Sequence, residues 1–326
     1  MRRVRDSVSV VLLTAMVTML GLFIGPGQAA SSHPVSLRVV RDVAGRPPVA
    51  LITTRDARRP PSRRDAASVP IPVQHYNLCA GNATCVEQPA LKQRAMDLVA
   101  RVKAAEGTWF ISLNEVCRKD VQELVRLTRG DAVMVASWAG GPRCEGDWYG
   151  NAVIHPGGVL EGYTAEYFPT QEARPCGGVE CRTYVCLRLG TAAGPMSVCS
   201  AHLENNAPIA RKQAEEYLWL ATGYAAGRPK VLAGDFNLRP DQLDGPEAAP
   251  AYFAGMRDLV APYSPTYQTW SDDDGDPETP PVRATPRNHI DYIWVDRTGE
   301  SIAYPASCDD AAPASDHCHT MGVWLR

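Results

Sequence analysis

The stretch that most constrains the fold runs from Lys230 to Leu238 and indicates a short buried strand that ends in polar residues. An apolar run at 231–233 follows the helix-breaking Gly-Arg-Pro at 227–229, which favours a strand over a helix. Asp235 and Asn237 come next and share one face, because side chains alternate along an extended chain. A carboxylate beside an amide at a strand end suits a metal ion that carries a phosphate. The alternative is a Gly-Asp turn with Asn237 in a left-handed conformation.

Similar apolar runs recur throughout residues 71–326 and outnumber the segments with helical spacing of apolar residues, which lie at 93–103, 119–128 and 209–226. Many strands with few helices predict an α/β fold, in which two mostly antiparallel sheets pack face to face with helices outside. The predicted strands are 70–78, 108–113, 131–138, 149–155, 182–189, 195–202, 230–236, 288–295 and 320–325.

The beginning of the chain has the pattern of an export signal. A basic start is followed by an apolar segment at 8–24 and by small residues up to Ala29 and Ala30. This pattern predicts a secretory signal peptide over residues 1–29 and a secreted protein. The alternative is an uncleaved membrane anchor at 8–24, which would be short for a bilayer span.

Residues 30–70 are rich in Arg, Pro, Ser and Ala, which predicts a flexible or propeptide-like arm before a catalytic domain at 71–326. Two short apolar runs, at 37–40 and 49–53, could form a minor hairpin within this arm. The arm holds eight arginines against three aspartates, whereas the whole chain has a net charge of −3, so the domain that follows is acidic. An acidic domain is not typical of a tight, static nucleic-acid binder, but it is compatible with a site that collects divalent cations.

The chain contains ten cysteines, an even number, which in an exported protein argues for disulfides. No Cys-x-x-Cys pair is present, which argues against a zinc cluster. Close spacings at 79 and 85, 176 and 181, and 308 and 318 allow local loops, but they leave the pairing open.

Polar residues recur where apolar strands end or begin, and strand ends in a sandwich meet at one rim. The residues in such positions are Asn77, Glu115, His202, Asp235, Asn237, Asp291, Asp316 and His317. Phosphodiester hydrolysis needs charge neutralisation, an activated water and help for the leaving oxygen. Carboxylate and amide ligands for Mg²⁺, with histidines beside carboxylates for proton transfer, meet those needs without a covalent nucleophile.

In order along the chain, these motifs resemble those of the endonuclease/exonuclease/phosphatase superfamily, which includes deoxyribonuclease I and bacterial sphingomyelinases. The matching residues are Asn77, Leu113-Asn114-Glu115-Val116, Tyr149-Gly150-Asn151-Ala152, His202-Leu203, Gly234-Asp235-Phe236-Asn237, Ile290-Asp291-Tyr292 and Ser315-Asp316-His317-Cys318. The resemblance implies a four-layered α/β sandwich.

The resemblance also implies roles for single residues. Glu115 would be the principal Mg²⁺ ligand, assisted by Asn77 and Asp316, with Mn²⁺ or Ca²⁺ as alternative ions. Asp235 and Asn237 would orient the scissile phosphate, the attacking water or a second metal. His202 and His317 would flank the phosphate, and Asp291 would orient His317. The residues that contact the substrate would be Asn77, Tyr149, Asn151 and Arg182.

Two positions depart from the family pattern. Asn114 stands where the family usually has a glutamine before its glutamate, and Asn151 stands where the nuclease branch has an acid that partners its first histidine. The second departure puts the protonation of His202 in doubt.

The resemblance and the export signal together predict a secreted, Mg²⁺-dependent phosphodiesterase that hydrolyses DNA by water attack. Two alternatives stay open: a sphingomyelinase-like enzyme acting on phospholipid or another phosphoester, and a non-catalytic binding protein on the same fold. Nucleic acid is the expected substrate. We expect no stable protein partner and a monomeric protein.

Overall fold

The chain divides into two compact units, residues 1–32 and residues 33–326. In this computed structural model the described residues are 35–40, 46–54, 69–80, 96–97, 107–138, 143–156, 159–172, 180–243, 253, 255–260, 266, 289–296, 300–303 and 317–326. The predicted signal peptide, Asp316 and most of the helix predicted at 93–103 lie outside them. Among the described helices, none is long and apolar enough to cross a membrane.

The described residues form strands and helices in the following chain order. The strands are β1 (Val35–Val40), β2 (Val49–Thr54), β3 (Pro70–Asn77), β4 (Phe110–Cys117), β5 (Gly130–Trp138), β6 (Tyr149–Pro156), β7 (Val159–Tyr167), β8 (Thr183–Thr191), β9 (Gly194–His202), β10 (Lys230–Asp235), β11 (Met256–Asp258), β12 (Asp291–Asp296), β13 (Glu300–Ala303) and β14 (Thr320–Leu325). The helices are α1 (Arg118–Thr128), α2 (Pro169–Glu172), α3 (Ala207–Ala225) and α4 (Pro240–Leu243).

The strands form two sheets, one of eight strands in the order β1-β2-β5-β6-β4-β3-β14-β13 and one of six in the order β11-β12-β10-β9-β8-β7. Neighbouring strands pair antiparallel except β3 with β4 and β9 with β10, which are parallel. The two strands of each parallel pair run in the same direction, so their carboxyl ends lie side by side. The carboxyl ends of both pairs meet at one rim of the sandwich. The predicted class, two mostly antiparallel sheets packed face to face, is confirmed.

The apolar residues of each strand separate into the core between the sheets and two outer cores. Alternate residues such as Val73, Phe110, Val198 and Val231 pack between the sheets. The outer face of the eight-stranded sheet packs against α1, and the outer face of the six-stranded sheet packs against α3. These layers make the four-layered α/β sandwich that the resemblance implies.

Local sequence explains both long helices. Helix α1 buries Val121, Leu124 and Val125, whose spacing puts them on one face. Helix α3 begins at Asn206, whose side chain accepts a hydrogen bond from the Ile209 amide, a common N-cap arrangement.

The hairpin predicted inside the N-terminal arm is present as β1 and β2. Strand β2 also pairs with β5, so these residues belong to the eight-stranded sheet rather than to a separate arm. The Arg- and Pro-rich centre of the arm, residues 55–68, lies outside the described part of the chain.

Two disulfides are defined by both of their cysteines in the described residues. One is at the end of strand β4, and the other lies in the outer core of the six-stranded sheet. Cys117 at the end of β4 bonds to Cys144, and Cys186 on β8 bonds to Cys199, directly opposite on β9. The other described cysteines, Cys79, Cys181 and Cys318, are also disulfide-bonded. These bridges agree with the disulfide interpretation of the sequence.

Buried His319 gives the fold a predictable weakness in acid. Its Nε2 lies 3.0 Å from Gln74 Oε1, and burial, with His75 as the second cause, lowers the pKa of His319 from 6.5 to about 4. Between these two pH values the unfolded chain takes up a proton that the folded chain cannot, so stability falls as pH falls.

We therefore expect the His319 contribution to lower the free energy of unfolding by roughly 2–3 kcal/mol between about pH 7.5 and pH 4.5. Urea denaturation at both pH values measures this loss, and His319→Leu should lose less stability over the same interval. Equal losses for the two proteins would contradict the assignment.

Candidate active site

The inner faces of the strands change from apolar to polar at one rim of the sandwich. Every second side chain of a strand faces the core between the sheets, and these inward-facing side chains form its inner row. Towards the rim, the next member of each inner row is a buried polar residue instead of an apolar one. Strands β6, β8 and β12 run in the opposite direction to β3, β4, β9 and β10. The first group therefore contributes the residues at its strand starts to this rim, and the second group contributes the residues at its strand ends. The polar residues are His75 and Asn77 on β3, Ser112 and Asn114 on β4, Asn151 on β6, Thr183 on β8, Ser200 and His202 on β9, Asp235 on β10, and Asp291 on β12.

Asp235 lies at the centre of these residues. Its Oδ2 is 3.4 Å from Nε2 of both His202 and His317, and its Oδ1 accepts a hydrogen bond from the Asn237 amide at 2.8 Å. A Cβ at Gly234 would lie 2.0 Å from the Ala201 carbonyl oxygen, so only glycine lets β10 approach β9 this closely. Gly234 thus belongs to a strand junction, and the chain turns directly after it: Asn237 has a φ of +51°, the left-handed conformation of the alternative interpretation.

Asn77 connects Asp235 to Glu115. Its Nδ2 donates at 3.1 Å to Glu115 Oε1 and at 3.1 Å to Asp235 Oδ2, while its Oδ1 accepts from the Cys79 amide at 3.0 Å. Turning the amide over would bring two donors together at Cys79. Asn77 thus donates to both carboxylates in this structure, while its side-chain oxygen, the atom that a metal ion would bind, accepts from the Cys79 amide.

Glu115 reaches the site through an irregularity in β4. The pairing of β4 with β6 shifts between Leu113 and Val116, and Glu115 has a φ of +50°, which is uncommon for a residue other than glycine. The bulge turns Glu115 towards the rim, and its side chain is 19% exposed, against 1% for Asp235. Glu115 Oε1 is 4.0 Å from His202 Nε2.

Asp291 contacts the ring nitrogen of His317 that does not face Asp235. His317 Nδ1 lies 2.8 Å from Asp291 Oδ2, so Nε2 faces Asp235. Burial alone would raise the pKa of Asp291, but His317 and the hydrogen bonds from His317 and His75 lower it below its usual value. Asp291 is therefore ionised. Burial raises the pKa of Asp235 to about 7, and nearby His317 opposes this effect.

His202 contacts an arginine that the sequence analysis placed at the substrate. Arg182 Nη1 lies 2.9 Å from His202 Nδ1, and Asn237 Nδ2 lies 3.1 Å from its Nε2. Burial, with Arg182 as the second cause, lowers the pKa of His202 well below 6.5, so the ring is neutral. The nuclease branch has an acid near His202 where this chain has Asn151. Here Glu180 supplies an acid beside His202: its Oε1 is 3.7 Å from His202 Nδ1 and accepts a hydrogen bond from Arg182 at 2.7 Å.

Asn151 and Tyr149, the two expected substrate contacts on β6, are both buried beside the site. Asn151 accepts a hydrogen bond from Asn114 at 2.8 Å and donates to the Thr183 carbonyl at 2.9 Å, so it joins the two sheets beneath the site. The Tyr149 hydroxyl accepts a hydrogen bond from Arg143 at 2.8 Å. Burial, followed by the charge of Glu115, raises the pKa of Tyr149 well above 10.

The structure thus brings together most of the predicted site residues but also adds some that the sequence analysis missed. His75 shares the inner row of Asn77, and Asn114 Oδ1 accepts from the Asp235 amide at 2.8 Å. Strand alternation could have identified His75. Arg143 and Glu180 lie in irregular segments, and no local pattern indicates them. Asp316, a predicted metal ligand, lies outside the described residues.

The donor set at this rim fits a divalent cation. Asp235, Asp291 and His317 each place one ligand atom within 4.8 Å of the others. Both oxygens of Asp291 contact imidazoles, which leaves Asp235 and nearby Glu115 as the carboxylates that face the rim. A small number of hard oxygen ligands is typical of Mg²⁺ sites.

Comparison with known proteins agrees with this geometry. Residues 75–317 match the model of the endonuclease/exonuclease/phosphatase family. Among curated protein sequences, none matches the chain.

Three solved structures share the fold at low sequence identity. The human nocturnin catalytic domain with bound sulfate is 16% identical, with a TM-score of 0.57 over 82% of this chain and 100% of that one. An endonuclease/exonuclease/phosphatase from Beutenbergia cavernae DSM 12333 is 19% identical, with a TM-score of 0.56 over 78% and 72%. Truncated Caenorhabditis elegans TDP2 is 14% identical, with a TM-score of 0.55 over 79% and 98%. The matched family model covers the six-stranded sheet and the residues of the polar rim, and this chain belongs to the endonuclease/exonuclease/phosphatase family.

Proposed function

We propose that this protein is an exported, divalent-metal-dependent phosphodiester hydrolase and that its substrate is DNA. One observation carries the proposal: Asp235 Oδ2 lies 3.4 Å from the Nε2 atoms of two histidines, and Asn77 joins that carboxylate to Glu115. Proton-transfer groups and candidate cation ligands therefore share one pocket.

Glu115, with Asp235 beside it and Asp316 as predicted from the sequence, would hold the cation. When bound, a divalent cation neutralises charge on the phosphoryl oxygens and lowers the pKa of water. Mg²⁺ is the proposed ion, with Mn²⁺ and Ca²⁺ as alternatives.

Protein side chains supply the proton transfers. In the proposed reaction Asp235 accepts a proton from the attacking water, the new O–P bond forms, and the bond to the leaving oxygen breaks. Protonated His317 donates from Nε2 to that oxygen while Asp291 holds its Nδ1. The proton on Asp235 then returns to His317 Nε2 across 3.4 Å, which restores both groups.

Arg182 and Arg143 supply positive charge on one side of the pocket. Glu180 accepts a hydrogen bond from each of them, at 2.7 and 2.8 Å, and so places both guanidinium groups beside His202 and Tyr149. We propose that they contact phosphates of the substrate, because arginine is well suited to phosphate recognition.

No observation on the described residues favours a phospholipid substrate. The exposed large apolar residues are Leu37, Trp219 and Ile302, which lie on β1, α3 and β13, and none of these elements carries a site residue. Trp148 is covered by the Arg118 guanidinium, 5.1 Å from the ring centroid. Described cysteines that are all in disulfides support export, and we propose that residues 1–29 direct it.

The test is to incubate purified protein with supercoiled plasmid DNA and, separately, with sphingomyelin vesicles, each with Mg²⁺ or with excess chelator. We expect relaxed and linear DNA with Mg²⁺ only. An Asp235→Asn preparation, purified in parallel, excludes a contaminating nuclease. Choline-phosphate release without DNA cleavage would replace the nuclease by a lipid hydrolase. Activity on neither substrate nor on other phosphodiesters would favour a non-catalytic binding protein.

A further inference from the structure

Asp291 contacts two imidazoles and not one. His317 Nδ1 lies 2.8 Å from Oδ2, and His75 Nε2 lies 3.1 Å from Oδ1. All three side chains are buried, and those of His75 and Asp291 are fully so. His75 comes from β3 of the eight-stranded sheet, whereas Asp291 belongs to β12 of the six-stranded sheet, so this contact also crosses the sandwich.

The hydrogen-bond directions around His75 are set by two serines. Ser200 Oγ donates to the Leu113 carbonyl at 3.3 Å, and Ser112 Oγ donates to Ser200 Oγ at 2.8 Å. Since a hydroxyl has one hydrogen, Ser112 must accept from His75 Nδ1, 3.0 Å away. Both ring nitrogens of His75 are therefore engaged, Nδ1 by Ser112 Oγ and Nε2 by Asp291 Oδ1, so the ring has one fixed orientation.

The same contacts continue to Asp235. Asn114 Nδ2 donates to Ser200 Oγ at 3.3 Å, and Asn114 Oδ1 accepts from the Asp235 amide at 2.8 Å. A buried chain of hydrogen bonds thus runs beneath the pocket from the His317 side to the Asp235 side. Such a chain is rigid when every member is satisfied, and His75 is its link to Asp291.

We infer that His75 is a positioning residue for the proposed hydrolysis: it fixes the second oxygen of Asp291 and thereby holds the His317 ring in its working orientation towards Asp235. This inference rests on the proposed function. A carboxylate held at one oxygen can rotate about its terminal bond, whereas a carboxylate held at both oxygens cannot. Loss of His75 would also leave Asp291 Oδ1 without this partner in a buried position, where an unsatisfied charge is unfavourable.

The variants are His75→Leu, which removes both ring nitrogens, and His75→Gln, which keeps an amide donor near Asp291. His319→Leu is the matched control, because His319 is another buried histidine that immediately precedes the neighbouring strand β14 and bonds to Gln74 instead. We expect kcat for DNA cleavage to fall about 10- to 100-fold in His75→Leu with KM within about twofold of wild type. We expect His75→Gln to recover part of the loss and His319→Leu to keep the wild-type kcat.

A second measurement does not depend on catalysis. The Nδ1–H proton of His317, observed by nuclear magnetic resonance in the ¹⁵N-labelled full chain, should be sharp and low-field in wild type and His319→Leu. In His75→Leu it should broaden by exchange with solvent, because Asp291 no longer holds the ring in one orientation.

The two readouts separate this inference from the proposed function. A wild type that cleaves no phosphodiester contradicts the function, while the His317 signal still tests the positioning. A folded His75→Leu with wild-type kcat and an unchanged His317 signal would overturn the inference. Equal losses of activity in His75→Leu and His319→Leu would also overturn the inference, because His75 would then have only a structural role.

Discussion

Replacing Asp235 by asparagine is expected to lower kcat for DNA cleavage by about a thousandfold, at the upper part of the range for loss of a proton-transfer group. The amide has nearly the same size as the carboxylate but cannot accept the proton of the attacking water. Asp235 is buried, and its Oδ2 is 3.4 Å from both histidine Nε2 atoms, so no other carboxylate stands in the same relation to both rings among the described residues. Steady-state rates on a short fluorescent DNA duplex measure the loss.

Asp296→Asn is the control for this change. Asp296 lies on β12 at the opposite end from the rim, where it accepts from Lys230 Nζ at 2.8 Å, and its replacement should leave kcat unchanged. An Asp235→Asn protein that keeps more than about a tenth of wild-type kcat would remove Asp235 from the proposed mechanism.

Replacing Glu115 by glutamine is expected to have the second-largest effect, a fall of about a hundredfold or more in rate at low Mg²⁺. The reason is different from that for Asp235. Glu115 is the more exposed of the two carboxylates, and its bulged backbone points it to the rim, where a hydrated cation would bind. A neutral amide is a weaker ligand, so higher Mg²⁺ or Mn²⁺ should restore part of the rate.

The measurement is the rate as a function of Mg²⁺ concentration for wild type and for Glu115→Gln. Glu123→Gln serves as the control, because Glu123 is a partly exposed acid on α1 that pairs with Arg126 and contacts none of the rim residues in the described part of the chain. A Glu115→Gln curve that is lower but has the same midpoint in Mg²⁺ would contradict the ligand assignment.

The sequence predicted the fold class and most of the rim because both follow from local alternation. A strand whose inner row begins with residues such as Val231 and Ala233 places Asp235 in the same row, and the same reasoning holds for Val198 and His202. The ends of such rows meet when the sheets pack, which is why residues far apart in sequence could be grouped before the structure was known.

Other features depend on contacts that no local pattern encodes. Three edge strands were not predicted: β11 and β13, whose three or four residues give too little periodicity, and β7, whose register shifts between Leu160 and Gly162. Glu115 was placed in a regular strand end, but its orientation comes from a bulge. Asp291 was expected inside a strand and is the first residue of β12.

The partners of the two histidines proposed for catalysis were likewise not predictable from local sequence. The acid next to His202 is Glu180, which belongs to an irregular segment and not to the position near Tyr149 where the family pattern suggested it. Likewise, the pairing of Asp291 with His75 crosses the two sheets. Such long-range pairs are set by how the sheets stack, and a single sequence does not record that geometry.

Anomalous scattering from crystals grown with Mn²⁺ tests the central claim most directly, which is that this rim holds a divalent cation. We expect one strong peak about 2.0–2.3 Å from a Glu115 carboxylate oxygen, on the side that faces Asp235, and its loss in Glu115→Gln crystals. An empty rim in a protein that still cleaves DNA with Mn²⁺, or an ion bound only at sites away from Glu115 and Asp235, would contradict the account.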